Sequence, residues 1–175
     1  MSQSITPRVF VSATSSDLRS ARKVINNALT QIECLPIEQS VFGTEYGPIH
    51  EMLERKIASC QAVIHVVGRD YGSEPAPQAL LDGESRRSWT QIEYGLAKEL
   101  GKSLYLLICD DAFPYDPPAT PEPDEKAALQ SAHRQAILAG QHLWYAVRNA
   151  DELHQQVESF KLPLDKVRAE LTSVD

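Results

Sequence analysis

The sequence predicts an α/β domain in which helices cover both faces of a five-stranded, mainly parallel sheet. Short apolar segments typical of buried strands alternate with longer segments of helical periodicity, in the order β-α-β-α-β-α-β-α-β-α. Near-continuous apolar strands such as Ala62–Gly68 need cover on both faces, which is typical of parallel sheets. Right-handed crossovers then give a doubly wound, flavodoxin-like three-layer sandwich.

The first strand and helix surround a polar loop. Arg8–Ser12 is short, β-branched and bounded by polar residues, as buried strands are. The loop SATSSD follows, and we expect Ser15 or Ser16 to cap the next helix, with Asp17 in its first turn. Apolar residues at helical spacing define the buried face of that helix: Leu18, Ala21, Ile25, Leu29 and Ile32.

The next elements are a weak strand, a helix and a strong strand. Residues 33–39 form the weak strand, which we place at a sheet edge because Pro36 cannot donate a ladder hydrogen bond. A glycine-rich loop, FGTEYGP, leads into a helix over residues 49–60. The apolar strand at 62–68 follows it.

The second half continues the alternation of strands and helices. It is predicted to contain, in order, a loop rich in proline and glycine (69–84), a helix ending at Gly101, an apolar strand (102–111), a proline-rich surface excursion (112–125), a helix (125–140), a strand (142–147) and a helix capped by Asn149 (149–164). We interpret residues 1–175 as a single domain with a core over about 8–160 and a C-terminal tail that is a candidate linker to further domains.

Composition narrows the classes of function. Seventeen basic residues against 24 acidic ones give a formal charge of −7, which argues against a general nucleic-acid surface. No apolar run approaches the roughly 20 residues that cross a bilayer. Three dispersed cysteines indicate buried thiols in a reducing cytoplasm, and the histidines show no spacing typical of a metal site. His65, in mid-strand, is interpreted as a satisfied core histidine.

One acidic residue lies inside an apolar helix face. Trp89, Ile92, Leu96 and Leu100 form that face, and Glu93 lies in the middle of it. A buried carboxylate costs free energy unless it is paired, hydrogen-bonded or lines a pocket. Ligands of doubly wound sheets bind beyond the C-terminal strand ends, where the early turns of this helix lie, so Glu93 could face a cleft there. Pairing with an arginine or a backbone amide explains the same residue equally well.

The loops at this edge of the sheet offer further candidate contacts. SATSSD supplies hydroxyls and amides suited to a phosphate or ribose, although helix capping explains the same residues. Tyr71 and Gly72 suit a wall beside a base, or a turn in which the glycine has positive φ. Trp89 could stack on a ligand or belong to the core, and Arg86 could meet a phosphate or be solvated.

Several motifs together resemble TIR-like domains. RVFVSATSSDLRSAR resembles the opening of a bacterial branch of such domains, GRDYG matches its strand-end motif, and SWTQIEY matches its Ser-x-Thr-x-x-Glu-Tyr helix start. The resemblance runs from about Arg8 to Cys109. That branch is catalogued as a domain of unknown function and is often fused N-terminally to NACHT or STAND ATPases or to repeat proteins.

The resemblance implies a function and a set of site residues. The Trp-x-x-x-Glu spacing of enzymatic TIR domains gives Glu93 the catalytic position, with NAD as substrate and no cofactor or metal. The implied substrate-binding residues are Ser12, Ala13, Thr14, Asp17, Tyr71, Gly72 and Trp89. The implied activity is hydrolysis of the nicotinamide–ribose bond, activated by self-association, in cytoplasmic bacterial defence or signalling. The alternatives are a non-catalytic assembly module and a nucleoside or nucleotide N-glycosidase or deoxyribosyltransferase.

Overall fold

The computed structural model describes residues 5–39, 46–76, 85–118 and 120–172. Five strands are present in the described residues: β1 (Arg8–Ser12), β2 (Leu35–Ile37), β3 (Ala62–Val67), β4 (Ser103–Cys109) and β5 (Trp144–Val147). Six helices accompany them: α1 (Arg19–Gln31), α2 (Tyr46–Ala58), α3 (Trp89–Glu99), α4 (Asp124–Ala139), α5 (Ala150–Glu158) and α6 (Lys161–Thr172).

The five strands form one parallel sheet in the order β2-β1-β3-β4-β5. The alternation of side chains along a strand separates the two faces. On β1, Val9 and Val11 belong to the core cluster that includes α1 and α5, whereas Phe10 packs with residues of α2 and α3. The three-layer, flavodoxin-like α/β fold predicted from the sequence is therefore confirmed.

Most predicted elements are present, with the weak strand at the sheet edge as expected. β2 pairs only with β1 among the described residues. Gly101 has φ 64° just beyond α3, and the Asn149 side chain caps α5 by accepting the Glu152 N–H. The single C-terminal helix predicted over 149–164 is instead two helices, α5 and α6. Residues 40–45 and 77–84, which belong to two predicted loops, lie outside the described residues.

The predicted cap of α1 is wrong. Leu18 occupies the position before α1 and no side chain caps the helix. Ser16 instead donates to the Asp70 carboxylate at 2.8 Å, and the Asp17 carboxylate lies outside the helix. The polar side chains of this loop bind the loop after β3 rather than the helix start, a choice between partners that local sequence does not decide.

The three cysteines, Cys34, Cys60 and Cys109, are free and buried, as predicted. Across the described part of the chain, every helix is too short or too polar to span a membrane.

Candidate active site

Three polar side chains meet on one face of the sheet. Ser12 ends β1 and is the register partner of His65 on β3, and Glu93 approaches them from α3. Ser12 Oγ donates a hydrogen bond to Glu93 Oε1 at 2.9 Å and lies 3.0 Å from His65 Nδ1. All three are buried, with exposed fractions of 0%, 1% and 2%.

Helix α3 is fixed so that Glu93 points to the sheet. A capping box begins it: the Ser88 hydroxyl accepts the Gln91 N–H, and the Gln91 side chain accepts the Ser88 N–H. Trp89 and Ile92 pack in the core between α3, α2 and β1. The apolar stripe that predicted the helix therefore also orients the carboxylate.

Burial dominates the electrostatics of Glu93. Desolvation raises the pKa of its carboxyl to about 8, while the Ser12 hydrogen bond and the more distant charges of Arg22 and Lys56 oppose that rise. Its Oε2 atom is buried and has no hydrogen-bond partner among the residues that the structure describes. Arg22, whose charge acts on Glu93, is not bound to it: its guanidinium binds Glu38 at 3.1 Å and the Ala13 carbonyl. Among the described residues, Glu93 forms no ion pair.

A cavity of about 480 Å³ lies at the C-terminal edge of the strands. Its lining includes the loop after β1, the loop after β3, the start of α3 and the segment before α4. Thr90 lines it, and its hydroxyl lies 3.4 Å from that of Thr14 on the opposite loop. The Thr90 carbonyl oxygen lies 3.4 Å from Ser12 Oγ, which connects the cavity wall to the buried serine.

Glu93 itself does not line the cavity, so the expectation that it faces the cleft does not hold in this conformation. The physical reason is its hydrogen bond to Ser12, which holds the carboxylate against β1. The cavity begins one helical turn away, at Thr90.

The other predicted binding residues divide into two groups. Ala13, Thr14 and Gly72 line the cavity, and Gly72 has φ 89°, as the turn interpretation predicts. Ser12 adjoins the cavity through Thr90.

The remaining three predicted contacts have structural partners instead. Trp89 is 1% exposed and belongs to the core, the second of its two interpretations. Tyr71 is buried and its hydroxyl donates to Glu74 at 3.0 Å. The Asp17 carboxylate accepts the backbone N–H groups of Arg69 and Asp70, and burial raises its pKa to about 6.

Arg86 is paired rather than free for a phosphate. It donates to the Glu74 carboxylate at 2.6 Å and contacts Glu125 at 3.4 Å. This ion pair, with the Tyr71 hydroxyl, lowers the pKa of Glu74.

Sequence reasoning missed one wall of the cavity, to which Glu122 and Lys126 contribute. Glu122, in the proline-rich excursion, accepts the Tyr71 N–H at 2.7 Å and the Gly72 N–H at 2.8 Å. Lys126 donates to the Gly72 carbonyl at 3.1 Å. Both line the cavity, so the excursion is one of its walls rather than a free surface loop. The position of Glu122 between two prolines was the only local signal.

His65 is a satisfied core histidine, as predicted. Its second ring nitrogen lies 2.9 Å from His133 Nε2, which sequence reasoning had not singled out. Tyr94 packs against both rings, with centroid distances of 4.9 Å and 5.3 Å. Within the residues described, no cluster of three or more acidic, histidine or cysteine side chains is arranged to hold a metal ion.

Comparison with known proteins identifies a family. Residues 8–160 match the family model described as "Domain of unknown function (DUF4062)". No curated protein gives a significant match. Among solved structures, the chain is similar to the Clostridium botulinum CMP N-glycosidase BcmB, with 18% sequence identity, 87% of this chain and 98% of that chain covered, and a TM-score of 0.48.

Proposed function

The chain belongs to the DUF4062 family, and we propose, from the geometry of its site, that it hydrolyses the N-glycosidic bond of a nucleotide. The observation that supports this proposal is the state of Glu93. It is a buried carboxyl group, one helical turn from a cavity lined by hydroxyl groups, and one of its oxygens has no partner among the described residues. A buried carboxyl oxygen without a partner is costly, and its position beside a cavity favours a functional reason for its retention.

The chemistry of an N-glycosidic bond suits a single carboxyl group. As the bond to the base breaks, positive charge develops on the ribose, and an adjacent carboxylate stabilises that charge or activates a water molecule. In the proposal, Glu93 Oε2 turns toward the cavity when substrate occupies it. The cavity volume of about 480 Å³ falls within the range of about 300–1,000 Å³ typical of small-molecule sites.

NAD is the first candidate substrate. Its nicotinamide leaves as a neutral molecule from a cationic ring, so no proton donor is required. The ionisable residues described in the cavity lining are Asp70, Glu122 and Lys126, with a formal sum of −1, which is compatible with a cationic nicotinamide ring. A bound cation would also lower the pKa of Glu93 and favour its carboxylate form. The resemblance to TIR-like domains supports the same substrate.

A nucleotide with a neutral base is the second candidate, because of the pKa of Glu93. A neutral base needs a proton as it leaves, and a carboxyl with a pKa of about 8 keeps its proton at neutral pH. With such a substrate, Glu93 would act as the general acid that protonates the leaving base. CMP, which releases neutral cytosine, is the matched probe.

One assay with three probes tests both candidates. NAD represents the first, CMP represents the second, and uridine is a nucleoside that lacks the phosphate. The full chain, at high concentration because the resemblance implies activation by self-association, is incubated with NAD, CMP or uridine, and the released base is separated by liquid chromatography. We expect Glu93→Gln to reduce release by about 100- to 10,000-fold. Glu99→Gln, an exposed position on the same helix, is the control and should retain wild-type release.

The outcomes separate the hypotheses. Release of nicotinamide alone selects NAD, and release of cytosine or uracil selects the general-acid mechanism. Release that is unchanged in Glu93→Gln removes this residue from the chemistry. If wild-type protein releases no base from any substrate, the assembly-module hypothesis replaces the enzymatic one, and self-association or fusion to an ATPase becomes the property to test.

A further inference from the structure

A continuous line of hydrogen bonds leads from Glu93 to the surface of α4. Glu93 Oε1 is 2.9 Å from Ser12 Oγ, Ser12 Oγ is 3.0 Å from His65 Nδ1, and His65 Nε2 is 2.9 Å from His133 Nε2. The first three residues are buried, whereas His133 is partly exposed. The line therefore joins a sealed carboxyl group to the solvent side of the molecule without passing through the cavity.

When Glu93 is ionised, the donors in this line have one consistent order. Ser12 carries a single hydroxyl proton, and its 2.9 Å contact with Glu93 is shorter than its 3.4 Å contact with the Thr90 carbonyl. Because Ser12 donates to Glu93, its oxygen accepts from His65 Nδ1–H. His65 Nε2 then lacks a proton and accepts from His133 Nε2–H.

When Glu93 is protonated, the opposite order is favoured. A proton on Oε2 has no acceptor in the described part of the chain, whereas a proton on Oε1 is donated to Ser12 Oγ. Ser12 then donates to His65 Nδ1, His65 Nε2–H donates to His133 Nε2, and the His133 proton lies on Nδ1. Both imidazoles are neutral in either order.

We propose that Glu93, Ser12, His65 and His133 form a proton path that charges and discharges the buried carboxyl from the α4 side. A solvent proton binds His133 Nδ1 as the Nε2 proton of His133 moves to His65 Nε2. The Nδ1 proton of His65 moves to Ser12 Oγ, and the Ser12 proton moves to Glu93 Oε1. One proton enters at His133 and one arrives at Glu93, so the step balances, and no bond between heavy atoms changes.

The catalytic use of this path rests on the proposed function. Glu93 would recover its proton state between turnovers while substrate or product fills the cavity. Ser12, His65 and His133 are positioning residues in this scheme, because none of them needs to touch the substrate.

The surroundings favour transfer through neutral rings. The ionisable groups facing the path are Arg22 and Lys56 toward Glu93, and Lys98 and the Tyr94 ring toward His133. Burial lowers the pKa of His65 well below its usual value, and burial with the Lys98 charge lowers that of His133 to about 4. The lowered pKa values of both imidazoles favour their neutral forms, whereas the pKa of Glu93 is raised to about 8.

The test is a titration of the full chain labelled with ¹⁵N-histidine, followed by long-range ¹H–¹⁵N correlation spectra from pH 6 to 10. We expect His65 to change from the Nε2–H to the Nδ1–H tautomer with rising pH, and His133 from Nδ1–H to Nε2–H, with one shared midpoint. His50, His142 and His154 lie outside the path and serve as internal references. Unchanged tautomers of His65 and His133 across this range in the wild-type protein would overturn the proposal.

Two serine variants sharpen the result. Ser12→Ala interrupts the path, so the tautomers of His65 and His133 should no longer follow the Glu93 midpoint. Ser103→Ala, an exposed strand serine, should keep the wild-type titration. A shared midpoint that survives Ser12→Ala contradicts the path. A tautomer change in a protein that releases no base supports the path and removes the proposed function, so the two failures are distinguishable.

Discussion

Two carboxyl groups near the cavity, Glu122 in its wall and Glu93 one helical turn from it, are held in opposite ways. Each oxygen of Glu122 accepts a backbone N–H, at 2.7 Å and 2.8 Å. Glu93 has one oxygen bound to Ser12 and one without a partner among the described residues, although it is the more deeply buried of the two. Glu122 thus stabilises a loop, whereas Glu93 retains a desolvation cost that protonation or a ligand can remove.

Glu74, which follows the cavity-lining residue Ser73 in the chain, also has partners for its carboxylate. Glu74 accepts from Arg86 and from the Tyr71 hydroxyl, and its pKa is lowered, whereas burial raises the pKa of Glu93. A carboxylate whose pKa is lowered by its partners is explained by those partners. Glu122 and Glu74 are therefore each accounted for by their hydrogen-bond partners, whereas burial dominates the state of the Glu93 carboxyl group.

The largest expected effect comes from replacing the ionisable carboxyl group of Glu93. Below the ordinary pKa of 4.5, Glu93 is protonated in both folded and unfolded protein. As pH rises toward about 8, only the unfolded chain loses the proton, so this residue lowers stability progressively. Between pH 5 and pH 9 we expect the free energy of unfolding of Glu93→Gln to gain about 3 to 5 kcal/mol relative to wild type.

Denaturant unfolding at both pH values measures this gain. Glu99→Gln, exposed on the same helix, is the matched control and should show the same pH dependence as wild type. If the free energies of unfolding of Glu93→Gln and wild type respond identically to pH, the Glu93 carboxyl does not have a pKa raised by burial.

The fold was predictable because its signals are local. The alternation of short apolar runs with helical periodicity marks strands and helices along the chain, and handedness rules leave few ways to connect them. Glu93 was predictable for the same reason, since it interrupts an apolar stripe within one helix. Its hydrogen bond to Ser12 spans 81 positions in the sequence, so the orientation of the carboxylate could not be predicted from the sequence.

The rest of the site depends on contacts that no local pattern encodes. Glu122 binds residues about 50 positions away, and His133 meets His65 across 68 positions. Trp89 shows a different limit: a tryptophan on an apolar stripe has the same sequence pattern whether it packs in the core or stacks on a ligand. Only the packing of α3 against α2 and β1 decides between them.

The next largest effect on the free energy of unfolding is expected at Gly72, where the loop after β3 approaches the loop after β1 closely. It has φ 89°, and a Cβ there would lie 2.8 Å from Thr14 Cγ2. Positive φ costs a non-glycine residue about 1–2 kcal/mol, and the contact with a stiff threonine adds about 1–2 kcal/mol. We expect Gly72→Ala to lower the free energy of unfolding by about 2–4 kcal/mol, measured by denaturant unfolding.

Gly101 provides the matched control for that substitution. It also has positive φ, 64°, but a Cβ added there would meet no described atom within 4 Å. Gly101→Ala should therefore cost only the backbone part, about 1–2 kcal/mol. Measured against the Thr14→Ser single variant, which lacks that methyl group, Gly72→Ala should cost about as much as Gly101→Ala. Equal costs for the two single variants would contradict a close approach of the two loops.

The smallest effect is expected from the pairing of Glu122, and it is local. In Glu122→Gln, one oxygen is replaced by an amide nitrogen that cannot accept a backbone N–H, so one of two charge-assisted hydrogen bonds is lost and the other weakened. We expect hydrogen exchange at the Tyr71 and Gly72 amides to accelerate about tenfold, equivalent to about 1.4 kcal/mol. Glu125→Gln is a nearby control in the first turn of α4, and its carboxylate contacts only Arg86, at 3.4 Å, in the described residues, so it should leave both amides unchanged. Equal hydrogen-exchange protection of the Tyr71 and Gly72 amides in wild type and Glu122→Gln would mean that something other than this carboxylate fixes the cavity wall. Glu122 would then not be a carboxylate that is explained by its partners, as the comparison with Glu93 assumes.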